Sequence, residues 1–373
     1  MEQKLKSENR RVATGVVLPF WPGVIRHYWE LLPVKKQEHV VTLLEGNTPL
    51  VRCGNLERMI NPEIQLYLKL EGLNPTCSFK DRGMTVAISK AVEEGSRAVI
   101  CASTGNTSAS AAAYAARAGM TAYVFVPQGN ISLGKLSQAM IHGAKVIEVE
   151  GNFDAALSLV KQAADRFPIT LVNSLNLYRI EGQKTAAFEV CDCLGMSPTY
   201  HFLPVGNAGN ITAYWKGYKE YLEIGRISSV PKMMGLQAAG AAPIVLNRVI
   251  DDPQTVASAI RIGNPASWKS AVAARDESKG VIDMVSDDEI IDAYKLLASS
   301  EGILAEPASA ISVAGVIKKQ KEGLFRKGDV VVCTLTGHGL KDPDTAIRHS
   351  MQPIRIAPKA EALEALLGEA VKK

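Results

Sequence analysis

The feature that most restricts the fold is a strict alternation of short apolar runs with helical runs between Ala98 and Val172. "AVICA" (98–102) leads into "SASAAAYAARAG", "TAYVFVP" (121–127) into "LGKLSQAMIHG", and "AKVIEVE" into "FDAALSLVKQAADRF", with "ITLV" (169–172) closing the series. Strands separated by helices of this length read as βαβ units with a parallel sheet. The first of these helices is almost all alanine, which lets it approach a sheet closely. A second set opens at "GQKTAAFEVCDCLG" and continues through "YHFLPV", "KMMGLQA" and "DVVVCTLTG". The predicted fold is therefore α/β, with two three-layer αβα domains built on largely parallel sheets. The smaller domain is predicted at 76–175 and the larger at 1–75 with 176–373, the site lying in the cleft between them. The last twenty residues are predicted to form a terminal helix.

Composition narrows the function classes. A chain of 373 residues is too long for one small core, which agrees with two domains. The net charge is only +4 and the basic residues are scattered, so no nucleic-acid groove is indicated. "MEQKLKSENRRVATG" is basic but leads into no apolar run, so it is not read as a secretory signal. No stretch approaches roughly 18 apolar residues, and no membrane span is expected. The cysteines, Cys53, Cys77, Cys101, Cys191, Cys193 and Cys333, form no C-x-x-C, and no histidine pair has ligand spacing. No metal site is expected, and free thiols point to a reducing cytoplasm. Cys191 and Cys193 should face different sides of one helix.

Ligands of open α/β sheets gather where strands meet helix starts, and several such loops are unusual here. In "LNPTCSFKDRGM" (73–84), Ser78 and Asp81 fit a capping pattern that places Lys80 in the first turn of a helix. The helix dipole and the apolar Phe79 would both disfavour an ammonium there and leave a nucleophilic amine. The bland alternative is a solvated surface lysine. "CASTGNTSAS" (101–110) crowds six hydroxyl or amide side chains at a helix start, more than a cap uses, and reads as an anion nest. "PVGNAGNITAYW" (204–215) offers small residues whose backbone amides could wrap a phosphate, yet it matches neither nucleotide-binding glycine motif. "CTLTGHGLKDP" (333–343) puts Thr336 at the mouth of a glycine-flanked turn, with His338 read as structural. In "VNSLNLYRIEGQKT", Asn173, Ser174 and Arg179 could grip a second anion, or form a salt-bridged linker.

Together with "FWPGVIRHYWELLP" and "LLEGNTPL" (43–50), these motifs resemble, nearly end to end, the threonine synthases of the fold type II (tryptophan-synthase-β-like) pyridoxal 5'-phosphate enzymes. The resemblance implies Lys80 as the Schiff-base lysine and proton shuttle. It implies Asn106 at the cofactor's phenolic oxygen, Gly206, Asn207, Ala208, Gly209 and Asn210 around its phosphate, and Thr336 facing the pyridine nitrogen. Ser103, Thr104 and Thr107 are expected near the substrate carboxylate, with Thr107, Asn173, Ser174 and Arg179 at the substrate phosphate. The implied reaction turns O-phosphohomoserine and water into threonine and phosphate, in a homodimer. A serine/threonine dehydratase of the same fold is the competing reading, and a non-catalytic ligand sensor a more distant one. Cys77 departs from the family, which usually has glycine there, and suggests that the position does not require a positive φ.

Overall fold

The computed structural model describes residues 20–371 except 129–132, 152 and 175, so the basic segment before Trp21 largely lies outside the described residues. Met1–Lys341 and Asp342–Lys373 form separate compact units. The second contains the helices Pro343–His349 and Ala360–Val371, the latter where a terminal helix was expected.

Among the described residues of the first unit, ten strands make two sheets. They are β1 (Leu50–Arg52), β2 (Gln65–Leu70), β3 (Ala98–Ala102), β4 (Thr121–Pro127), β5 (Lys145–Val149), β6 (Ile169–Leu171), β7 (Tyr200–Pro204), β8 (Lys232–Ala238), β9 (Val281–Val285) and β10 (Val330–Leu335). One sheet has the order β5-β4-β3-β6 and is parallel throughout. The other has the order β1-β2-β10-β7-β8-β9, with β1 alone antiparallel to its neighbour. The helices that matter for the site are α1 (Lys80–Glu93), α2 (Asn106–Arg117), α3 (Phe153–Arg166), α4 (Leu177–Gln183), α5 (Thr185–Leu194), α6 (Gly209–Glu223) and α7 (Pro307–Lys321).

β3 shows why the layers form. All five of its residues are buried, as expected for a central parallel strand. Alternate side chains point to opposite faces. Val99 and Cys101 join the core of α1 and α2, including Met84, Ala87, Ala111 and Ala112. Ile100 and Ala102 join Ala156 and Val160 of α3 on the other face. The alanine run of α2 is buried against the strands as its composition suggests. Cys191 is buried and Cys193 exposed, on different faces of α5.

Between the end of β2 and the start of α1 the core is ionic. The Arg82 guanidinium, 0% exposed, donates to Glu71 at 2.6 and 2.8 Å and to Glu189 at 2.6 and 2.7 Å. The Lys69 ammonium donates to Glu189 at 2.7 Å, so two cations face two anions. Thr185 accepts from the remaining Nη1–H, and Thr48 shares Nη2 with the two carboxylates. Burial alone would discharge Arg82, but the Glu189 and Glu71 carboxylates more than offset it and hold the guanidinium charged. Against the same burial penalty, Arg82 and Lys69 pull the Glu189 carboxyl down to about 2.

Two glycines set the crossing of α1 with α4. A Cβ on Gly182 would lie 1.8 Å from the Arg82 carbonyl oxygen, and one on Gly83 would lie 2.7 Å from that of Arg179. The helices therefore touch backbone to backbone, which brings Arg179 next to the first turn of α1. Gly182→Ala is expected to cost about 3 kcal/mol in a denaturant titration, because neither backbone can withdraw. Arg82→Ala leaves two buried carboxylates facing one lysine and is expected to cost about 3–5 kcal/mol in the same measurement. A loss below about 1 kcal/mol in either variant would contradict this account of the packing.

Candidate active site

Two of the loops singled out in the sequence, the lysine loop and the Thr336 turn, meet directly. Phe79 donates its backbone N–H to Thr336 O at 2.9 Å, His338 donates to Cys77 O at 3.0 Å, and Ser78 bridges Gly337. On the other side of the same turn, Ala305 bridges His338 and Glu306 donates its N–H to Gly337 O at 3.0 Å. The lysine loop, the Thr336 turn and the Ala305–Glu306 segment thus lie side by side as three extended plies. His338 uses Nδ1 to accept from Leu340 N–H at 3.1 Å, a turn-stabilising contact.

Lys80 is the first residue of α1, as expected, but not by the expected cap. The helix has Phe79 at its N-cap and no side-chain cap bond. Asp81 instead accepts from Thr76 N–H at 2.7 Å, from the Thr76 hydroxyl at 2.6 Å and from Ser110 at 2.6 Å, and the buried Ser78 hydroxyl has no partner. The tertiary partners on Thr76 and α2 outcompete the local capping box. The expectation for Cys77 is also corrected. Its φ is +65°, the left-handed region that glycine adopts without strain, at a cost on the order of 1 kcal/mol for an L-residue.

The Lys80 ammonium lies 4.2 Å from the centroid of the Phe79 ring. Its side chain keeps some exposure within the site. Burial, followed by the nearby Arg179 charge, lowers it to about 7, with Glu306 pulling the other way. Burial is thus the main cause, and the aromatic face itself favours the cation.

Arg179 is 1% exposed. It donates from Nη1 to Val172 O at 3.2 Å, its Nε has no partner, and it forms no ion pair among the described residues. Burial lowers it to about 10, which leaves it charged at neutral pH. A buried guanidinium without a counter-ion carries a desolvation cost that an incoming anion would offset. The salt-bridged linker considered for Arg179 is absent from the described residues.

At the start of α6, Ala208 sits in the left-handed region at φ +65°, followed directly by helical Gly209 and Asn210. Such a turn at a helix N-terminus points successive backbone N–H groups into one concavity. The buried Asn210 Nδ2 is unpartnered. Asn207 is spent on the neighbouring loop, accepting from Ala266 N–H at 3.2 Å through its side chain and from Ser267 N–H at 3.1 Å through its carbonyl. Gly206 leaves room for Ile260, whose Cα would lie 3.0 Å from an added Cβ.

The polar crowd before α2 sorts itself. Ser108 donates to Gly105 O at 2.7 Å and Ser110 to Asp81, so both serve the fold. Ser103 accepts from Gly105 N–H at 3.2 Å and keeps its proton to donate. Thr104 stays partly exposed at the same turn, while Thr107 is buried in the first turn of α2. Asn106 donates to both oxygens of Glu306, at 3.2 and 3.4 Å. Asn173 uses its amide to accept from Ala102 N–H and donate to Ala102 O, both at 2.9 Å, which fastens the end of β3. Ser174 is partly buried beside it.

Thr336 is buried at the end of β10, within 2.9 Å of the Ser309 hydroxyl and donating to Glu306 at 3.2 Å. Glu306 was missed in the sequence. Its only signal is an acid before the proline that opens α7, which reads as an ordinary helix start. Burial raises its carboxyl, against the bonds from Asn106 and Thr336. No group of three or more metal-ligating side chains occurs among the described residues. No helix among them is long and apolar enough to cross a membrane.

These features suit pyridoxal phosphate: an easily deprotonated amine, an uncharged phosphate cradle with an orphaned amide, and a separate orphaned guanidinium. Comparison with known proteins agrees. Residues 41–337 match the model of the pyridoxal-phosphate dependent enzyme family. A threonine synthase of Mycobacterium tuberculosis is 58% identical over 343 residues, covering 91% of this chain and 95% of that protein. One from Methanocaldococcus jannaschii is 53% identical over 356 residues, covering 93% and 87%. Maize serine racemase superposes with a TM-score of 0.69 at 18% identity, over 94% of this chain and 98% of the other. A tomato threonine deaminase gives 0.69 at 19% identity, over 94% and 90%. At such identities these two structures establish the shared fold alone. The chain belongs to the pyridoxal-phosphate dependent enzymes of fold type II, in their threonine synthase family.

Proposed function

We propose that the chain catalyses the conversion of O-phosphohomoserine and water to threonine and phosphate. The observation that carries this reading is Arg179, a fully buried guanidinium without a counter-ion, packed beside the lysine that starts α1. Threonine, the substrate of a dehydratase, carries no phosphate and has no use for such a group. A non-catalytic sensor has no use for a lysine depressed to about 7.

Pyridoxal phosphate, when bound, supplies an aldehyde that captures the substrate amine and a ring that withdraws electrons from the neighbouring carbon. Its phosphate is assigned to the backbone donors of Gly206–Asn210 with the Asn210 amide, and its ring edges to Asn106 and Thr336. The chain's own groups do the rest. Lys80 Nζ, freed of its proton by burial, accepts the proton from the substrate α-carbon and returns protons at later steps. Ser103, Thr104 and Thr107 offer hydroxyls to the substrate carboxylate. Arg179, with Thr107 and Ser174, holds the substrate phosphate and stabilises it as it leaves. Asn173 is assigned a supporting part, because its amide is engaged with Ala102.

Arg179 and Lys80 are coupled. An anion at Arg179 offsets the charge that depresses Lys80, so arrival of the phosphate makes the amine a better base and departure makes the ammonium a better acid. The division into a smaller part at 76–175 and a larger part around it, with the site in the cleft, is proposed on the distribution of the two sheets. A homodimer is proposed from the family resemblance, and a cytoplasmic setting from the six free cysteines.

Three experiments test this reading. Borohydride trapping of the holoenzyme followed by peptide mapping is expected to label Lys80, and a label on another lysine would remove the assignment. Release of phosphate from O-phosphohomoserine is expected to exceed 2-oxobutanoate formation from threonine by orders of magnitude. Arg179→Ala should lower kcat/KM for the phosphorylated substrate by about 100-fold or more while cofactor affinity changes little, the loss of a desolvated charged contact. Equal loss of both would mean that Arg179 only supports the fold.

A further inference from the structure

We propose that Glu306 is a positioning residue that fixes, from one carboxylate, the hydrogen-bond polarity of Asn106 on one sheet's side of the site and Thr336 on the other's. The placement is specific. Glu306 occupies the N-cap position of α7, yet its side chain makes no cap bond to that helix. Both oxygens turn away instead, Oε1 and Oε2 towards Asn106 Nδ2 at 3.4 and 3.2 Å, and Oε1 also towards Thr336 Oγ1 at 3.2 Å. Gly337 has no side chain to spare here, since a Cβ would lie 2.5 Å from Oε1. Glu306 is 5% exposed and forms no ion pair within contact distance among the described residues, Lys341 and Lys80 acting on it only from farther off. A buried carboxylate without a cation at contact distance is a costly choice unless its acceptor-only character is needed.

That character has two consequences. Asn106 follows β3 of the four-stranded sheet, and its amide could face the site with either end forward. A carboxylate can only accept, so the NH₂ must turn to Glu306, and the direction of its second N–H and of Oδ1 is then set. Thr336 directly follows β10 of the six-stranded sheet, and its hydroxyl proton is drawn to the same carboxylate, while Ser309 stands 2.9 Å away as the second partner. One side chain therefore orients two site groups that no local sequence connects.

The inference rests on reading this pocket as the cofactor site and not on the substrate, so a failed phosphate-release assay would leave it standing. The test uses E306Q, which keeps shape and volume but can both donate and accept. The apo-protein is expected to melt within a few degrees of the parent. The pyridoxal phosphate dissociation constant, measured by titrating the apo-protein, should rise about tenfold, and the absorption band of the bound cofactor should shift. Because the effect passes through Asn106, E306Q and N106A should be non-additive, the double variant binding at least about fivefold tighter than the product of the single losses implies. Unchanged affinity and band in E306Q, strictly multiplicative losses, or an apo-protein that melts far below the parent would each overturn the proposal.

Discussion

Everything at the site hangs on the way Arg82 is held. Its guanidinium is two residues past Lys80 and is gripped bidentately from both sides, by Glu71 after β2 and by Glu189 of α5. With Lys69 the cluster is electrically balanced, which is the condition under which buried charges are tolerated at all. Because one partner lies on the turn that follows β2 and the other on a helix, the first turn of α1 is fixed along two directions. Lys80 inherits that position, and the glycine contact with α4 then fixes Arg179 relative to it. An apolar core of the same volume would hold the helix but would not dictate its rotation so narrowly.

The site itself inverts that logic. Arg82 is buried and fully paired, whereas Arg179, equally buried, has one carbonyl bond and an orphaned Nε. Lys80 is likewise without an ion pair among the described residues and is discharged towards neutrality. On the proposed assignment, the same helix crossing joins one arginine that builds the fold to another whose cost of burial would be offset by a bound anion.

Much of this was legible in the sequence, for identifiable reasons. The strand and helix alternation appears in β3, buried throughout, where Val99 and Cys101 meet α1 and α2 while Ile100 and Ala102 meet α3. The loops at strand ends could be picked out because Gly, Asn, Ser and Thr concentrate there. What failed was local inference where distant groups compete. Ser78 and Asp81 have the spacing of a cap, but Asp81 finds better donors in Thr76 and in Ser110 of another helix. Cys77 offers no hint of its left-handed backbone, which is imposed by pairing with the Thr336 turn from the far end of the chain. Glu306 is 200 residues from Asn106, and nothing in "LAEPASA" announces that its carboxyl turns away from the helix it begins.

On the proposed assignment, the protein handles two phosphate esters with different materials. One cradle is neutral, made of peptide N–H groups and an amide around Ala208, and owes its grip to shape and to fixed dipoles. The other is a formal charge on Arg179 whose grip is chiefly coulombic. A neutral cradle is comparatively indifferent to ionic strength and discriminates by outline, which suits a resident that stays from one turnover to the next. A charged cradle attracts any small oxyanion, so inorganic phosphate and sulfate should compete there with incoming substrate, and the enzyme would slow as its own released anion accumulates. The division of labour between dipole and charge thus makes the protein faithful to one phosphate and merely hospitable to the other.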